Sequence, residues 1–454
     1  MKQYDAIVIG FGKGGKTLAG KLGASGKTVA MIEKSDRMYG GTCINVGCIP
    51  SKSLVRSSGI SHGHRNADFE KKQAFYAAAI EEKRRLTAML RKKNFDKLDG
   101  NPNVTVFNGM GSFLSPTQVR VVSDRGETLV LEGKQIFINT GSTPVVPPIE
   151  GLRENPFVYL SEGLMDLEKL PRRLAIIGGG YIGLEFASIY AGFGSQVTVF
   201  EGAPVFLPRE DADIAAEIKK ALEAKGVAFQ IGAAVKKVAD AGDHAEVTFA
   251  REGAEETLAA DAVLVATGRR PNTDGLNAAE AGVELTPRGA VKVDEKLRTT
   301  APNIWAMGDV VGGLQFTYVS LDDFRIVWSQ LSGGDYDAAR RKNVPYSVFI
   351  DPSFSRVGLN EREAREAGRN VKVLTLPAAA IPKAQVLKHP VGLLKAVVDA
   401  DTNKILGAML FCEESYEMIN IVKLAMDLDA DYTVLGRQVF THPTMSEALN
   451  DLFA

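Results

Sequence analysis

One pattern occurs twice in this chain, and it constrains the fold more than any other feature. Asp5-Ala-Ile-Val-Ile-Gly10 is an apolar run of strand length. Gly10, Gly12 and Gly15 follow as G-x-G-x-x-G, then a helical stretch over 16–22 and a second strand over 28–32 that ends at Glu33. The second copy has a strand over 174–177, then Gly178, Gly180 and Gly183, a helix, a strand over 196–200 and Glu201. The first glycine and the acid are 23 positions apart in both copies (33 − 10 and 201 − 178). The copies are offset by 168 residues (178 − 10), a domain-sized distance rather than a solenoid period of about 20–50.

Each position in the pattern has a mechanical reason. The first glycine permits a tight turn, the second lets the backbone approach a pyrophosphate, and the third lets helix and strand pack closely. The helix N-terminus then points unpaired N–H groups and a positive dipole end at the phosphates. A carboxylate ending the next strand accepts hydrogen bonds from ribose hydroxyls. Two such units imply two dinucleotides, and hydride or electron transfer between them is the natural use. Glu201 would repel a 2′-phosphate, and Gly202 and Ala203 follow it with no basic residue before Arg209. NADH is therefore expected ahead of NADPH, with NADPH not excluded.

Composition sets the outer bounds. At about 100–200 residues per domain, 454 residues make two to four domains. Lys+Arg 54 against Asp+Glu 55 leaves a net charge of -1, so no global field favours nucleic acid or an anionic membrane. No secretory signal or spanning segment is evident, and a cytoplasmic protein with reduced thiols is expected. Glycine is abundant, at 45 residues, and cysteine scarce, at 3.

Two of those cysteines lie in Gly40-Gly41-Thr42-Cys43-Ile-Asn-Val-Gly47-Cys48-Ile-Pro50-Ser-Lys52. On a regular helix, positions five apart are separated by about 7.5 Å of rise and about 140° of rotation. Disulfide Cα atoms usually lie about 4.4–6.8 Å apart. A bridge therefore requires a distorted first turn, which Gly47 is placed to allow. A strained, accessible bridge in a reducing compartment is readily reduced, as a redox dithiol should be.

With these motifs the chain resembles the flavin-dependent pyridine nucleotide–disulfide oxidoreductases, class I. The resemblance spans essentially the whole chain. It rests on both fingerprints, GGTCINVGCIPSK, ATGRRPNT at 266–273, WAMGDV around Asp309, and His442-Pro-Thr-Met-Ser-Glu447. It implies an α/β fold of two Rossmann-like dinucleotide-binding domains, glutathione-reductase-like, plus a C-terminal α+β dimerisation domain. The implied divisions are 1–148 and 270–340 for FAD, 149–269 for NAD(P)H and 341–454 for dimerisation.

The resemblance also assigns roles. FAD would lie against Gly10, Gly12, Gly15, Glu33, Gly41, Thr42, Gly141 and Asp309. NAD(P)H would lie against Gly178, Gly180, Tyr181, Gly183, Glu201 and Gly268, with Tyr181 gating the nicotinamide pocket. Cys48 would be the flavin-proximal thiol, forming a charge-transfer contact as thiolate, and Cys43 the outer, interchange thiol that meets substrate. Lys52 would sit beside the flavin N5 with Glu185 as its ion-pair partner. His442 would be the acid–base group, oriented by Glu447, and in the family this pair reaches the disulfide of the other subunit of a homodimer. An imidazole suits that task because its pKa lies near neutrality.

Departures narrow the substrate. No N-terminal metal-binding domain with its own cysteine pair is evident, and the tail Leu449-Asn-Asp-Leu-Phe-Ala454 has no vicinal cysteines. Mercuric reductases and large thioredoxin reductases use such pairs. The segment Gly312-Gly-Leu-Gln-Phe-Thr-Tyr-Val-Ser-Leu-Asp-Asp323 differs from lipoamide dehydrogenases. It resembles the bacterial reactive-chlorine-resistance subgroup, as do MYGGTCIN, LPRED and KNVPYSVF. That subgroup is associated with reduction of hypothiocyanous acid and of Cu(II).

The expected function is thus reduction of a small oxidant or thiophilic metal ion through Cys43 and Cys48. The alternatives are a dihydrolipoamide dehydrogenase or a mercuric-reductase-like enzyme. A non-catalytic flavin-bearing or redox-sensing subunit would not need Cys43, Cys48, His442 and Glu447 together. No resident metal site is expected. Cys412 reads as a core thiol, and His62 and His64 as solvated side chains in a Gly/Ser-containing loop.

Overall fold

This structure, a computed structural model, describes residues 2–64 and 67–454. The opening apolar run forms the strand Lys2–Ile9, whose residues Ala6, Ile7, Val8 and Ile9 are buried. A strand apolar on both faces belongs inside a parallel sheet covered by helices. It pairs in parallel with Val29–Glu33 on one side and with Thr128–Ile138 on the other. Val29–Glu33 pairs onward with Val104–Asn108. Beyond Thr128–Ile138 the sheet turns antiparallel through Gln118–Val122 and Met110–Phe113. A seventh strand, Ile304–Ala306, joins Thr128–Ile138 in parallel. The first sheet is thus completed by residues that follow the whole second glycine unit.

The second unit repeats the geometry. Arg173–Ile177 lies between Gln196–Glu201 and Ala262–Val265, all in parallel, and the edges are Val227–Ile231 and Val158–Tyr159. Its crossover helix, Tyr181–Phe193, is buried along almost its whole length, so it reads as apolar on all sides. The chain leaves the first sheet and returns to it through one antiparallel pair, Ser142–Pro144 with Arg269–Pro271. Gly141 and Gly268 sit at the mouths of that pair.

The last unit is a five-stranded antiparallel sheet in the order Tyr346–Val348, Phe354–Gly358, Ile405–Phe411, Leu393–Asp399, Val371–Pro377. Helices Ser415–Asp427 and Ala448–Leu452 bury Met418, Ile419, Val422, Leu449 and Leu452 in its core. The architecture is therefore two Rossmann-like units followed by an α+β unit, as expected.

Two local expectations are corrected. The first crossover helix starts at Lys13, not Lys16, because the glycines Gly14 and Gly15 pack as its buried face. His62 does not lie in a loop: the helix Cys48–Gly63 contains it, and His64 is its C-cap, stacked on Phe75 at 5.0 Å. Packing overrides the weak helix propensity of its serines and glycines there, since Ser58 abuts Gly192 of the second crossover helix. Among the described residues no helix is long and apolar enough to cross a membrane.

Candidate active site

The two glycine turns are built alike. Gly10 and Gly178 have φ of 103° and 111°, in the region that favours glycine. A Cβ on Gly10 would stand 2.2 Å from the Asn139 carbonyl oxygen, and one on Gly178 2.5 Å from that of Ala266. The third glycines close helix onto strand. A Cβ on Gly15 would meet the Gly10 carbonyl at 2.6 Å, and one on Gly183 the Gly178 carbonyl at 2.1 Å.

The second glycines differ. Around a Cβ on Gly180 nothing lies within 4 Å, whereas at Gly12 the Asn139 Oδ1 atom is 2.7 Å away. That same oxygen accepts from the Gly15 amide at 2.8 Å, and Ser320 Oγ accepts from the Gly14 amide at 3.1 Å. The expectation of unpaired N–H groups at the first helix is corrected accordingly. Two of its first-turn amides are satisfied from distant parts of the chain, which local sequence could not show.

Glu33 and Glu201 occupy equivalent places. Glu33 accepts from the Phe11 amide at 2.9 Å and from Ser35 at 3.3 Å. Glu201 accepts from Gly179 at 2.9 Å and from Ala203 at 2.8 Å. Each carboxylate thus pins its glycine turn to the strand end and keeps lone pairs for a ribose hydroxyl. Burial raises the Glu33 pKa.

A cleft of about 2740 Å³ runs past Gly12, Gly141 and Asp309 to Gly178, Gly180, Tyr181, Glu201 and Gly268, and its wall includes both Cys43 and Cys48. A side slot of about 130 Å³ is lined by Gly10, Glu33, Gly41 and Thr42. Gly41 packs the cysteine segment onto the first turn, with φ of 81° and a Cβ position only 2.7 Å from Gly12 Cα. Asp309 accepts from Ser142 Oγ at 2.7 Å, and Arg269 in turn donates to Ser142 Oγ at 2.8 Å. The residues present fit two extended dinucleotides, because the second turn and Glu201 line the cleft, the first turn and Glu33 line the adjoining slot, and Gly12, Thr42 and Gly141 border both.

The cysteines sit on two helices, not one. A short helix, Thr42–Asn45, carries Cys43; Val46 and Gly47 break it; Cys48 then starts the helix Cys48–Gly63. This break is the distortion that five-residue spacing requires. A Cβ on Gly47 would stand 3.0 Å from the Thr42 carbonyl oxygen. Both thiols are unbridged in this structure.

Their charges differ sharply. A hydrogen bond from Cys43, a second from Thr317 and the Lys52 charge bring Cys48 from 9.0 down to about 6, against the opposing effect of burial. The Sγ–Oγ1 separation to Thr317 is 3.6 Å. Placement at a helix N-terminus favours the same thiolate. The same hydrogen bond to Cys48, with burial, pushes the Cys43 thiol far up. Cys48 is exposed to the cleft and Cys43 is half-buried. The pair thus shares one proton, and the charge rests on Cys48.

Alkylation of the reduced protein by iodoacetamide should therefore follow a thiolate with a midpoint near pH 6. Reactivity should persist above that pH and fall as pH drops through it. Cys43→Ala should move the midpoint toward the ordinary thiol value. A wild-type midpoint above pH 8 would contradict the assignment.

Lys52 Nζ lies 2.7 and 2.9 Å from the Glu185 carboxylate oxygens, and the Phe349 amide donates to Glu185 at 2.8 Å. The lysine also stands 4.6 Å from the Phe349 ring centroid. His442 Nδ1 is 2.8 Å from Glu447 Oε2. The histidine is 73% exposed, and neither residue is among those lining the cleft of its own chain. Within one chain the structure therefore brings every other site residue to the cleft or its slot, except Gly15 and Gly183 in the helices, and leaves His442 on the surface with the mostly buried Glu447 behind it. Cys412 is fully buried, and burial raises its pKa.

Several residues beside the cleft were not singled out from sequence. Asn139 and Ser320 bind the first turn. Thr317 touches Cys48, and Arg269 supports Ser142 and Asp309. Thr317, Ser320 and Arg269 fall inside motifs that the sequence displays, so the signal was present but their partners were not.

Comparisons with known proteins agree with this geometry. Residues 4–323 match the pyridine nucleotide-disulphide oxidoreductase family, and residues 344–453 match its dimerisation domain. The chain is 50% identical over 455 residues to the probable pyridine nucleotide-disulfide oxidoreductase RclA of Escherichia coli, covering 100% of this chain and 99% of that one. It is 34% identical to the mitochondrial dihydrolipoyl dehydrogenase of Pisum sativum, over 99% and 90% of the two chains. It is 33% identical to the mercuric reductase of Lysinibacillus sphaericus, over 98% and 81%. A solved structure described as a Cu(II) complex of the HOCl-induced flavoprotein disulfide reductase RclA from Escherichia coli superposes with a TM-score of 0.94, at 50% identity and over 100% and 99% of the chains. The chain belongs to the pyridine nucleotide-disulphide oxidoreductase family, whose members are flavin- and pyridine-nucleotide-dependent enzymes.

Proposed function

We propose that this enzyme uses NADH and FAD to reduce a small electrophilic oxidant, such as hypothiocyanous acid, or the thiophilic ion Cu(II), through Cys43 and Cys48. The observation that carries the reading is the charge-separated thiol pair opening into the dinucleotide cleft. The similar protein described as HOCl-induced and as a Cu(II) complex supports the choice of substrate class.

Bound flavin supplies the two-electron relay between nicotinamide and disulfide. Gly10, Gly12, Gly15, Glu33, Gly41, Thr42, Gly141 and Asp309 would hold it, with the FAD-binding residues divided between 1–148 and 270–340. Gly178, Gly180, Tyr181, Gly183, Glu201 and Gly268 would hold the nicotinamide dinucleotide in 149–269. Lys52, fixed by Glu185, would hold a cation beside the bound ring, where it would stabilise negative charge electrostatically.

The chain's own groups account for the reductive step. Cys43 is protonated at rest, so it needs a base, and an exposed imidazole oriented by Glu447 suits that role. His442 lies off its own cleft, so a second subunit, docked through 341–454, would supply it. Deprotonated Cys43 attacks the sulfur of hypothiocyanous acid, forming Cys43–S–SCN and releasing the oxygen as water. The Cys48 thiolate then displaces thiocyanate and closes the disulfide. From the one-proton pair, a thiol, a thiolate and HOSCN give one disulfide, thiocyanate and water. With Cu(II), two ions each take one electron, giving two Cu(I), the Cys43–Cys48 disulfide and the thiol's proton. A cytoplasmic homodimer is the corresponding setting.

The test measures NADH oxidation by the purified holoenzyme with hypothiocyanous acid, Cu(II), Hg(II) or glutathione disulfide, and NAD+ reduction with dihydrolipoamide. Turnover should be highest with the first two, and kcat/KM should favour NADH over NADPH because Glu201 opposes a 2′-phosphate. Faster turnover with dihydrolipoamide would favour the lipoamide dehydrogenase reading. No turnover with any of them would favour a non-catalytic subunit.

A further inference from the structure

LPRED and KNVPYSVF are far apart in the sequence, yet they meet at one buried carboxylate. Glu210 of the first segment has a fully buried side chain. Its Oε1 atom accepts from the phenol of Tyr346 in the second segment at 2.5 Å, and from the phenol of Tyr181. The two phenols are 3.2 Å apart and their rings 5.5 Å apart. Its Oε2 atom lies 3.2 Å from Arg356 Nη1, and that guanidinium also binds the Arg209 carbonyl at 2.8 Å and pairs with Glu363. Nearby, buried Lys395 lies 3.0 Å from Asp211 and 2.8 Å from Glu361. The loop around Glu210 is therefore clamped to the C-terminal sheet by two buried cations. A carboxylate in that position is a fixed point, and the residues it holds are restrained by it.

We infer that Glu210 is a positioning residue for nicotinamide: through the Tyr181 phenol it restrains the ring beside the second glycine turn, and so sets the fraction of molecules whose nicotinamide pocket is open. This rests on the reading of Tyr181 as the gate of that pocket. When only an open fraction can bind, the apparent dissociation constant equals the intrinsic one divided by that fraction. A stronger hold on the closed ring therefore weakens binding of the nicotinamide half. The adenosine half, which lies toward Glu201, is not subject to the same cost. Tyr346 donates to the same oxygen and competes for it, so it tunes the hold on Tyr181 without bearing the charge.

Calorimetric titration of the full-length FAD-loaded enzyme with NAD+, and separately with ADP-ribose, tests this without turnover. Tyr181→Phe should tighten NAD+ binding by about fivefold, the factor one net hydrogen bond is worth, and Glu210→Gln should tighten it by at least about twofold, since its amide oxygen still accepts but without the charge. Neither should change ADP-ribose binding. In the Tyr181→Phe background, Glu210→Gln should have no further effect, since residues acting through one contact are non-additive. Tyr346→Phe leaves the ion pair with Arg356 intact and covers the case in which Glu210→Gln fails to fold. It should shift NAD+ affinity by at least about twofold in the wild-type background and not in Tyr181→Phe.

Additive effects, or equal shifts for ADP-ribose, would overturn the inference. So would a Tyr181→Phe effect with no effect from Glu210→Gln and Tyr346→Phe. An enzyme that does not bind NAD+, or a Tyr181→Phe variant that binds it like wild type, would instead overturn the reading beneath it.

Discussion

Cys43→Ser is expected to lower turnover with every oxidant by roughly 10³-fold or more, the scale of losing a nucleophile that acts as one unit with its partners. The serine hydroxyl cannot form the mixed adduct, and the Cys48 thiolate cannot close a bridge. The variant should still bind both dinucleotides, because Gly41 and the glycine turns are untouched. Cys48→Ser should be equally inactive for a different reason. It leaves Cys43 without the neighbouring thiolate that holds its proton, so Cys43 should become more reactive toward iodoacetamide at neutral pH. Stopped assays with hypothiocyanous acid and Cu(II), alongside alkylation rates, separate the two cases. Near-wild-type turnover of Cys43→Ser would remove the dithiol mechanism.

His442→Gln should cost about 10²- to 10⁴-fold in turnover, the usual contribution of a positioned acid–base group. The side chain is exposed and sits against Glu447, so little stability should be lost. Its location off the cleft leads to a stronger expectation. A mixed dimer of Cys43→Ser and His442→Gln subunits contains one site with an intact Cys43 and an intact histidine from its partner. Co-refolding the two inactive variants should restore one working site per mixed dimer. No recovery would show that His442 does not act across subunits.

What the sequence made legible was the chemistry whose residues are close along the chain. The glycine turns, Glu33 and Glu201 could be read because each acid returns to a turn 22 residues before it, at Phe11 and Gly179. The helix break at Gly47 followed from the spacing of two thiols. The link between Lys52 and Glu185 followed only from resemblance, since 133 positions separate them. Contacts assembled by folding were hidden. Asn139 and Ser320 reach the first turn from other strands and helices, and they use amides that local reasoning had left for phosphate. The charge on Cys48 followed only from resemblance, and the contacts that hold it there were hidden, because they depend on Thr317, which is 269 residues away, and on a proton shared between the thiols. The extent of the helix Cys48–Gly63 was missed because packing against the second crossover helix outweighs the propensities of its serines and glycines.

The most direct test of the dithiol account counts thiols. The oxidised holoenzyme, unfolded and alkylated under anaerobic conditions with and without prior addition of NADH, should show two more modified cysteines after NADH. Peptide mapping should place both at Cys43 and Cys48, with Cys412 modified equally in the two samples. An unchanged count, or a gain at Cys412, would contradict the account.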